Sequence, residues 1–116
     1  MKLRIAAPAR RDIANILAWS GAQFGLEARQ RYESLIAAAL KRIASEREPL
    51  AAKPVAELDA RLRLLHLRHV PPDGKGVRNP RHFIAFRAEG RNLIVVLRVL
   101  HDAMDLPAHL KEAEPK

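Results

Sequence analysis

Arg91-Asn92-Leu93-Ile94-Val95-Val96-Leu97-Arg98-Val99-Leu100-His101 is the stretch on which the fold turns. A strand with one wet face alternates apolar and polar residues. The unbroken run from Leu93 to Leu97 does not alternate, so it reads as a strand buried on both faces, at the centre of a sheet. Working outward, Asn92–Leu100 is one strand, and Glu89-Gly90 before it is a tight turn. Arg81–Arg87, with Ile84 and Phe86 in its apolar run, is the strand that the turn brings back. Leu62–His69 is a third strand-like run. Its apolar phase slips between Leu64 and Leu65, which a bulge or burial on both faces would explain. The connection Val70–Pro80 (VPPDGKGVRNP) is punctuated by Pro and Gly and reads as a loop with a mobile tip.

The first half of the chain changes period. Leu3–Ala6 alternates briefly and reads as a short first strand. Pro8 suits a first helical position, where its missing N–H is not needed. Ile13, Ile16, Leu17, Ser20 and Phe24 then follow helical spacing, with Arg10, Arg11, Asp12 and Asn15 mostly off that stripe. Gly25 punctuates, and Ala28, Tyr32, Leu35, Ile36, Ala39, Leu40 and Ile43 form the stripe of a second helix, Leu26 to Arg47. Two amphipathic helices on a short connection make an antiparallel hairpin. Glu48-Pro49 ends it, and Pro54 keeps the next segment irregular. A short helix over Ala103–Leu110, limited by Pro107, closes the chain. The order is β-α-α-β-β-β with helices and strands segregated, hence α+β. The hairpin covers one face of an antiparallel sheet and leaves the other face to Arg-rich strands and a partner.

A chain of 116 residues is expected to be one domain, 1–116, able to bury roughly 65% of its unfolded surface. With 48% hydrophobic and 29% charged residues it is globular, not disordered. Having no cysteine, it holds neither a disulfide framework nor a thiolate metal site. Charges interrupt the only short N-terminal apolar run, and no run approaches the roughly 20 residues of a membrane span, so a cytoplasmic location is expected. The net charge of +8 points to a polyanionic partner. It is concentrated in residues 61–98, where Arg61, Arg63, Arg68, Lys75, Arg78, Arg81, Arg87, Arg91 and Arg98 face only Asp73 and Glu89, a net of +7. A solvated Arg-rich surface is the plainer account of the same block.

Four stretches, in order, resemble the ParE toxins of the RelE/ParE superfamily. They are Asp12-Ile13 with Phe24-Gly25, Ala28 and Tyr32; Leu62-Arg63; His82-Phe83-Ile84-Ala85-Phe86-Arg87, where Phe86 stands at a position commonly Tyr; and Val96-Leu97-Arg98-Val99-Leu100-His101 with Asp105. The last is the most specific, and together they span residues 3–110. The resemblance implies a RelE-like fold, a helical hairpin on an antiparallel sheet. It also implies a type II toxin that inhibits DNA gyrase by binding it, and a ParD-like antitoxin, encoded beside it, that wraps the toxin with an acidic segment. The basic block suits such a partner through charge complementarity.

RelE toxins share that fold but cut mRNA on the ribosome, which makes ribosome-dependent endonuclease activity the alternative. RNA cleavage needs a base for the 2′-hydroxyl, an acid for the leaving oxygen and cations for the phosphorane. The one tyrosine, Tyr32, lies on the buried stripe of a helix, and the stretch after His101 is acidic and apolar, so no catalytic residue is assigned. His66, His69, His82, His101 and His109 are the groups a nuclease would use. His66 and His69, three apart on a strand, face opposite sides and do not share a metal, and no cofactor is expected. Arg63 and Arg98 sit inside apolar runs, where a guanidinium needs a carboxylate such as Asp102 or Asp105. His101 reads as a cap on the sheet edge or the terminal helix. Trp19 lies off its helix's main stripe, as an interface anchor or packed under residues 48–60. The candidate partner-binding surface is Trp19, Arg63, Arg68, Arg78, Arg81, Arg87, Arg98 and His101. The expected partners are the antitoxin and gyrase, without a membrane; direct nucleic-acid binding stays open but is not expected.

Overall fold

The computed structural model describes residues 2–46, 53–55, 59–70, 77 and 79–103. Two helices pack on a sheet, and the chain order is β1 (Lys2–Ile5), α1 (Ala7–Phe24), α2 (Leu26–Glu46), β2 (Lys53–Val55), β3 (Asp59–His66), a 3-10 turn (Leu67–His69), β4 (His82–Glu89) and β5 (Leu93–His101). The α+β class and the β-α-α-β-β-β succession stand, with β2 added.

The helices follow their stripes. Ala6 caps α1 without a side-chain hydrogen bond, and Pro8 sits in the first turn. Gly25 ends the helix at φ 93°, ψ 173°, a region closed to side-chain-bearing residues, and its N–H donates to Gly21 O at 3.0 Å. Arg29 N–H then donates to Gly25 O at 3.1 Å, starting α2. Ala9 and Leu17 from α1 and Leu35, Ile36, Ala39 and Ile43 from α2 are buried against Leu65, Ile84, Phe86, Ile94, Val96 and Val99. Phe24 departs from its stripe: it is 68% exposed and meets Trp19 edge-on at 5.6 Å.

The sheet order is β1-β5-β4-β3-β2. The run 93–97 is central, as read: Ile94 and Val96 face the helices, while Val95 and Leu97 join Leu62, Ala85 and Leu100 in a second cluster on the opposite face. That opposite face is therefore apolar and buried, not an open Arg-rich surface. The sheet is antiparallel from β2 to β5, but β1 joins β5 in parallel, Lys2 opposite Leu93 and Ile5 opposite Val96. The α1–α2 hairpin between these strands serves as the crossover that a parallel pair requires.

Pro54 does not exclude a strand. Lys53–Val55 pairs with β3 at the edge of the sheet, where a missing N–H is tolerated. β3 pairs with β4 without a register break, so the phase slip at Leu64-Leu65 is burial on both faces: Leu62 and Leu64 on one side, Leu65 on the other. The strand stops at His66, short of His69, because His66 Nδ1 accepts the N–H of Arg68 at 3.0 Å and starts the 3-10 turn. Most of the 70–80 loop and the expected helix over 103–110 lie outside the described residues.

One irregularity positions the site. Ala85 pairs with Arg98 but Phe86 with Val96, so β5 carries one extra residue there. Asp12 of α1 occupies this bulge. Its carboxylate accepts Arg98 Nε at 2.7 Å, Arg98 Nη2 at 3.0 Å and the backbone N–H of Val99 at 2.9 Å. Among the described residues the carboxylate on Arg98 is thus Asp12, where Asp102 or Asp105 was expected; Asp105 lies outside the described residues. A bulge leaves ladder groups without cross-strand partners, and a helix-borne carboxylate supplies one.

Candidate functional site: a ring-lined cleft at the hairpin

Without the bulge, counting back from Glu89 opposite Leu93 would set His82 against Leu100. The extra residue sets it against His101. The two imidazoles meet edge-on, with ring centres 5.3 Å apart. Tyr32 of α2 comes down on them: its hydroxyl lies 2.5 Å from His82 Nδ1 and accepts the N–H of Arg81 at 3.4 Å. We assign the proton order as follows. The phenol donates to Nδ1, and His82 carries its own proton on Nε2.

The neighbouring groups are equally committed. His101 Nδ1 accepts the N–H of Ala103 at 3.1 Å, so this residue caps the turn after β5. His66 donates from Nε2 to Asp102 Oδ2 at 3.1 Å while its Nδ1 takes Arg68 N–H. Arg81 grips Asp102 through Nε and Nη2 at 2.8–3.0 Å, and the Asp102 N–H donates to Arg81 O at 2.8 Å. All three imidazole lone pairs are taken by donors of the chain itself.

The electrostatics agree with these assignments. Burial pushes the Tyr32 phenol up to about 12. Burial, with the neighbouring His101 second, brings His82 down to about 4, so it is neutral at pH 7. The Arg81 guanidinium, and then His66, hold the Asp102 carboxyl well below the usual carboxylate range.

Above this floor opens a cleft of about 930 Å³ between the helical hairpin and the adjoining ends of β4 and β5. Ile16, Ala28 and Val77 supply aliphatic wall, Trp19, Phe24 and Tyr32 supply rings, and Arg31 and Arg81 are the cations among its described residues. Among the described residues none that lines it is acidic. Trp19 is 58% exposed at the mouth.

Of the candidate surface, the structure brings together Trp19, Arg81 and His101. The others scatter. Arg63 is half-buried on β3 with Nη1 on Leu62 O at 3.1 Å. Arg68 is exposed in the 3-10 turn. Arg87, 8% exposed, lies 2.7 Å from Glu89 on β4. Arg98 is held by Asp12, and Arg78 lies outside the described residues. Tyr32, His82 and Phe24 belong to the cleft and were absent from the candidate surface. Tyr32 is far from the strands in sequence only, because its stripe position fixes the ring's burial and not where the hydroxyl ends. Among the described residues no cluster of three His, Asp or Glu could hold a metal ion, and no helix is long and apolar enough to cross a membrane.

This architecture, a helical hairpin on a β1-β5-β4-β3-β2 sheet, is similar to a solved chain described as "Chromosomal ParDE TA system from P. aeruginosa", at a TM-score of 0.63 and 20% identity, covering 87% of this chain and 95% of that one. At that identity the likeness is one of fold. No curated protein matches the chain. The family model described as "ParE toxin of type II toxin-antitoxin system, parDE" matches residues 3–106, and the chain belongs to that family.

Proposed function

We propose that the chain is a toxin that acts by binding, docking on DNA gyrase to stop replication, and that a ParD-like antitoxin neutralises it in the cytoplasm. Membership of the ParE family over residues 3–106 carries this reading. The cleft supports it. Exposed aromatic side chains at the mouth of an apolar groove are typical of macromolecular contact. The imidazole lone pairs, already accepting internal hydrogen bonds, are not offered to a substrate hydroxyl.

One observation favours the second reading, ribosome-dependent mRNA cleavage: Tyr32, His82, His101 and Arg81 converge in a single cleft. General acid–base work there would require His82 to release Tyr32, or His101 to release Ala103. Pulse-labelling after induction separates the two. Gyrase inhibition halts incorporation of thymidine before that of methionine, and message cleavage reverses the order. Early loss of methionine incorporation, with position-specific cuts by primer extension, would replace the first reading by the second.

A further inference from the structure

We infer that the β1 edge of the sheet is a contact for duplex DNA: a ridge of cations along β1 and the opening turns of α1 that holds the phosphate backbone without reading bases. The inference goes beyond the gyrase reading and stands whether or not gyrase is the target.

Strand pleating builds the ridge. Leu3 and Ile5 turn to the core under the helices, so Lys2 and Arg4 stand exposed at the edge of the other face, roughly 6.6 Å apart. The Lys2 N–H donates to Asn92 O at 2.8 Å, which sets the exposed Arg91 beside the start of the strand. At its far end Arg10 reaches back to Ile5 O at 3.2 Å, and Arg11 follows, both exposed. Asp12 is the only acid in residues 1–26, and it is turned inward to Arg98 and the Val99 N–H. Glu89, two strands from Lys2 in the row Lys2–Leu93–Glu89, is taken by Arg87 and Arg61. Elsewhere Arg81 is gripped by Asp102 and Arg98 by Asp12. Among the described residues no carboxylate pairs with any of the ridge cations Lys2, Arg4, Arg10, Arg11 and Arg91. The sequence count placed the basic character in residues 61–98, but the fold engages much of that block and leaves this edge open to an anion.

The form of the ridge selects the occupant. Each strand of a duplex carries one phosphate per about 3.4 Å of axis, so β1, about 13 Å long, runs beside roughly four of them. Single-stranded nucleic acid needs rings on which its bases stack. The ridge offers none, since Trp19 and Phe24 lie toward the other end of α1. Sequence-reading RNA modules likewise depend on unstacked bases and aromatic side chains. An acidic peptide added as a strand would need the edge carbonyls, and Arg10 already covers Ile5 O.

The purified full-length chain is titrated into a labelled duplex of about 20 base pairs, followed by fluorescence anisotropy from roughly 50 to 200 mM salt. Affinity should fall with a log–log slope of about −4, the value for four to five neutralised phosphates. Arg4→Glu combined with Arg11→Glu should weaken binding at least tenfold and flatten the slope by about 2. Arg4→Ala with Arg11→Ala should weaken it in the same direction and leave thermal melts unchanged, because both side chains are exposed. Arg29→Glu with Lys41→Glu, exposed on α2, removes the same charge away from the ridge and should cost less than about threefold. No binding to the duplex at the lowest salt would overturn the inference. Equal losses from the two charge-reversed pairs would reduce it to net charge and overturn it as well. Tighter binding of single-stranded DNA, of RNA or of polyglutamate than of the duplex would give the ridge to another occupant and also defeat it. None of these outcomes alters the gyrase reading, which the supercoiling assay decides.

Discussion

Asp12→Ala tests how the fold sets the site. The carboxylate makes two hydrogen bonds to Arg98 and one to the Val99 N–H, and both side chains of the pair are only 15% exposed. Removing one member of a buried pair costs roughly 3–5 kcal/mol, because a desolvated charge loses its counter-ion. Partial exposure places this pair at the low end, about 3 kcal/mol with the orphaned N–H included. With an unfolding entropy of about 2.1 cal/mol/K per residue, the melting temperature should drop by about 12 °C. In urea, at a slope of about 2 kcal/mol/M, the midpoint should fall by about 1.5 M. Asp12→Asn should lose less, since an amide oxygen still serves Val99. Arg61→Ala, which breaks an exposed pair with Glu89, should cost at most about 0.5 kcal/mol. Asp12→Ala should also loosen the register of His82 against His101, seen as altered imidazole chemical shifts in both rings. A melting temperature lowered by less than about 4 °C, with those shifts unmoved, would refute the view that Asp12 pins the bulge.

Three further outcomes follow from the geometry. Gly25→Ala meets no atom within 4 Å, yet φ 93° is closed to alanine, so thermal melts should show a loss of about 1–3 kcal/mol from strain alone. Tyr32 is the one tyrosine, and its phenolate absorbance should titrate near 12; because the folded value is raised, the contribution to stability is complete below pH 10 and is lost as pH rises toward 12, and a midpoint near 10 would contradict its burial. His82 has the opposite sign: its folded value of about 4 lies below the unfolded one near 6.5, so stability is full above pH 6.5 and declines as pH falls toward 4. Urea midpoints measured across that window should flatten in His82→Gln, and an unchanged slope would remove His82 as the cause.

The sequence made the architecture legible wherever the signal was local. The stripes of both helices and the two-sided run of β5 follow from period alone, and those residues, Phe24 and Ala28 apart, form or flank the core. Pairing partners are not local, and there the reading fell short. The parallel seat of β1 depends on a crossover, and β2 depends on an edge that makes Pro54 harmless. Asp12 and Arg98 lie 86 positions apart, on elements whose contact no periodicity specifies. The site was hidden by one residue: the turn at Gly90 fixes a register that pairs His82 with Leu100, and only the bulge near Leu97 turns His101 toward it. Counting basic residues by sequence block likewise gathered Arg63, Arg87 and Arg98 into a surface. The fold separates them: Arg63 donates to Leu62 O, Arg87 lies beside Glu89, and Arg98 is held by Asp12 of α1.

Gyrase supercoiling tests the central claim most directly: relaxed plasmid, purified gyrase and this chain at stoichiometric excess, with and without the antitoxin. Loss of supercoiling, restored by antitoxin, is the result the account predicts. Undiminished supercoiling at that excess, from protein that arrests growth when induced, would contradict it.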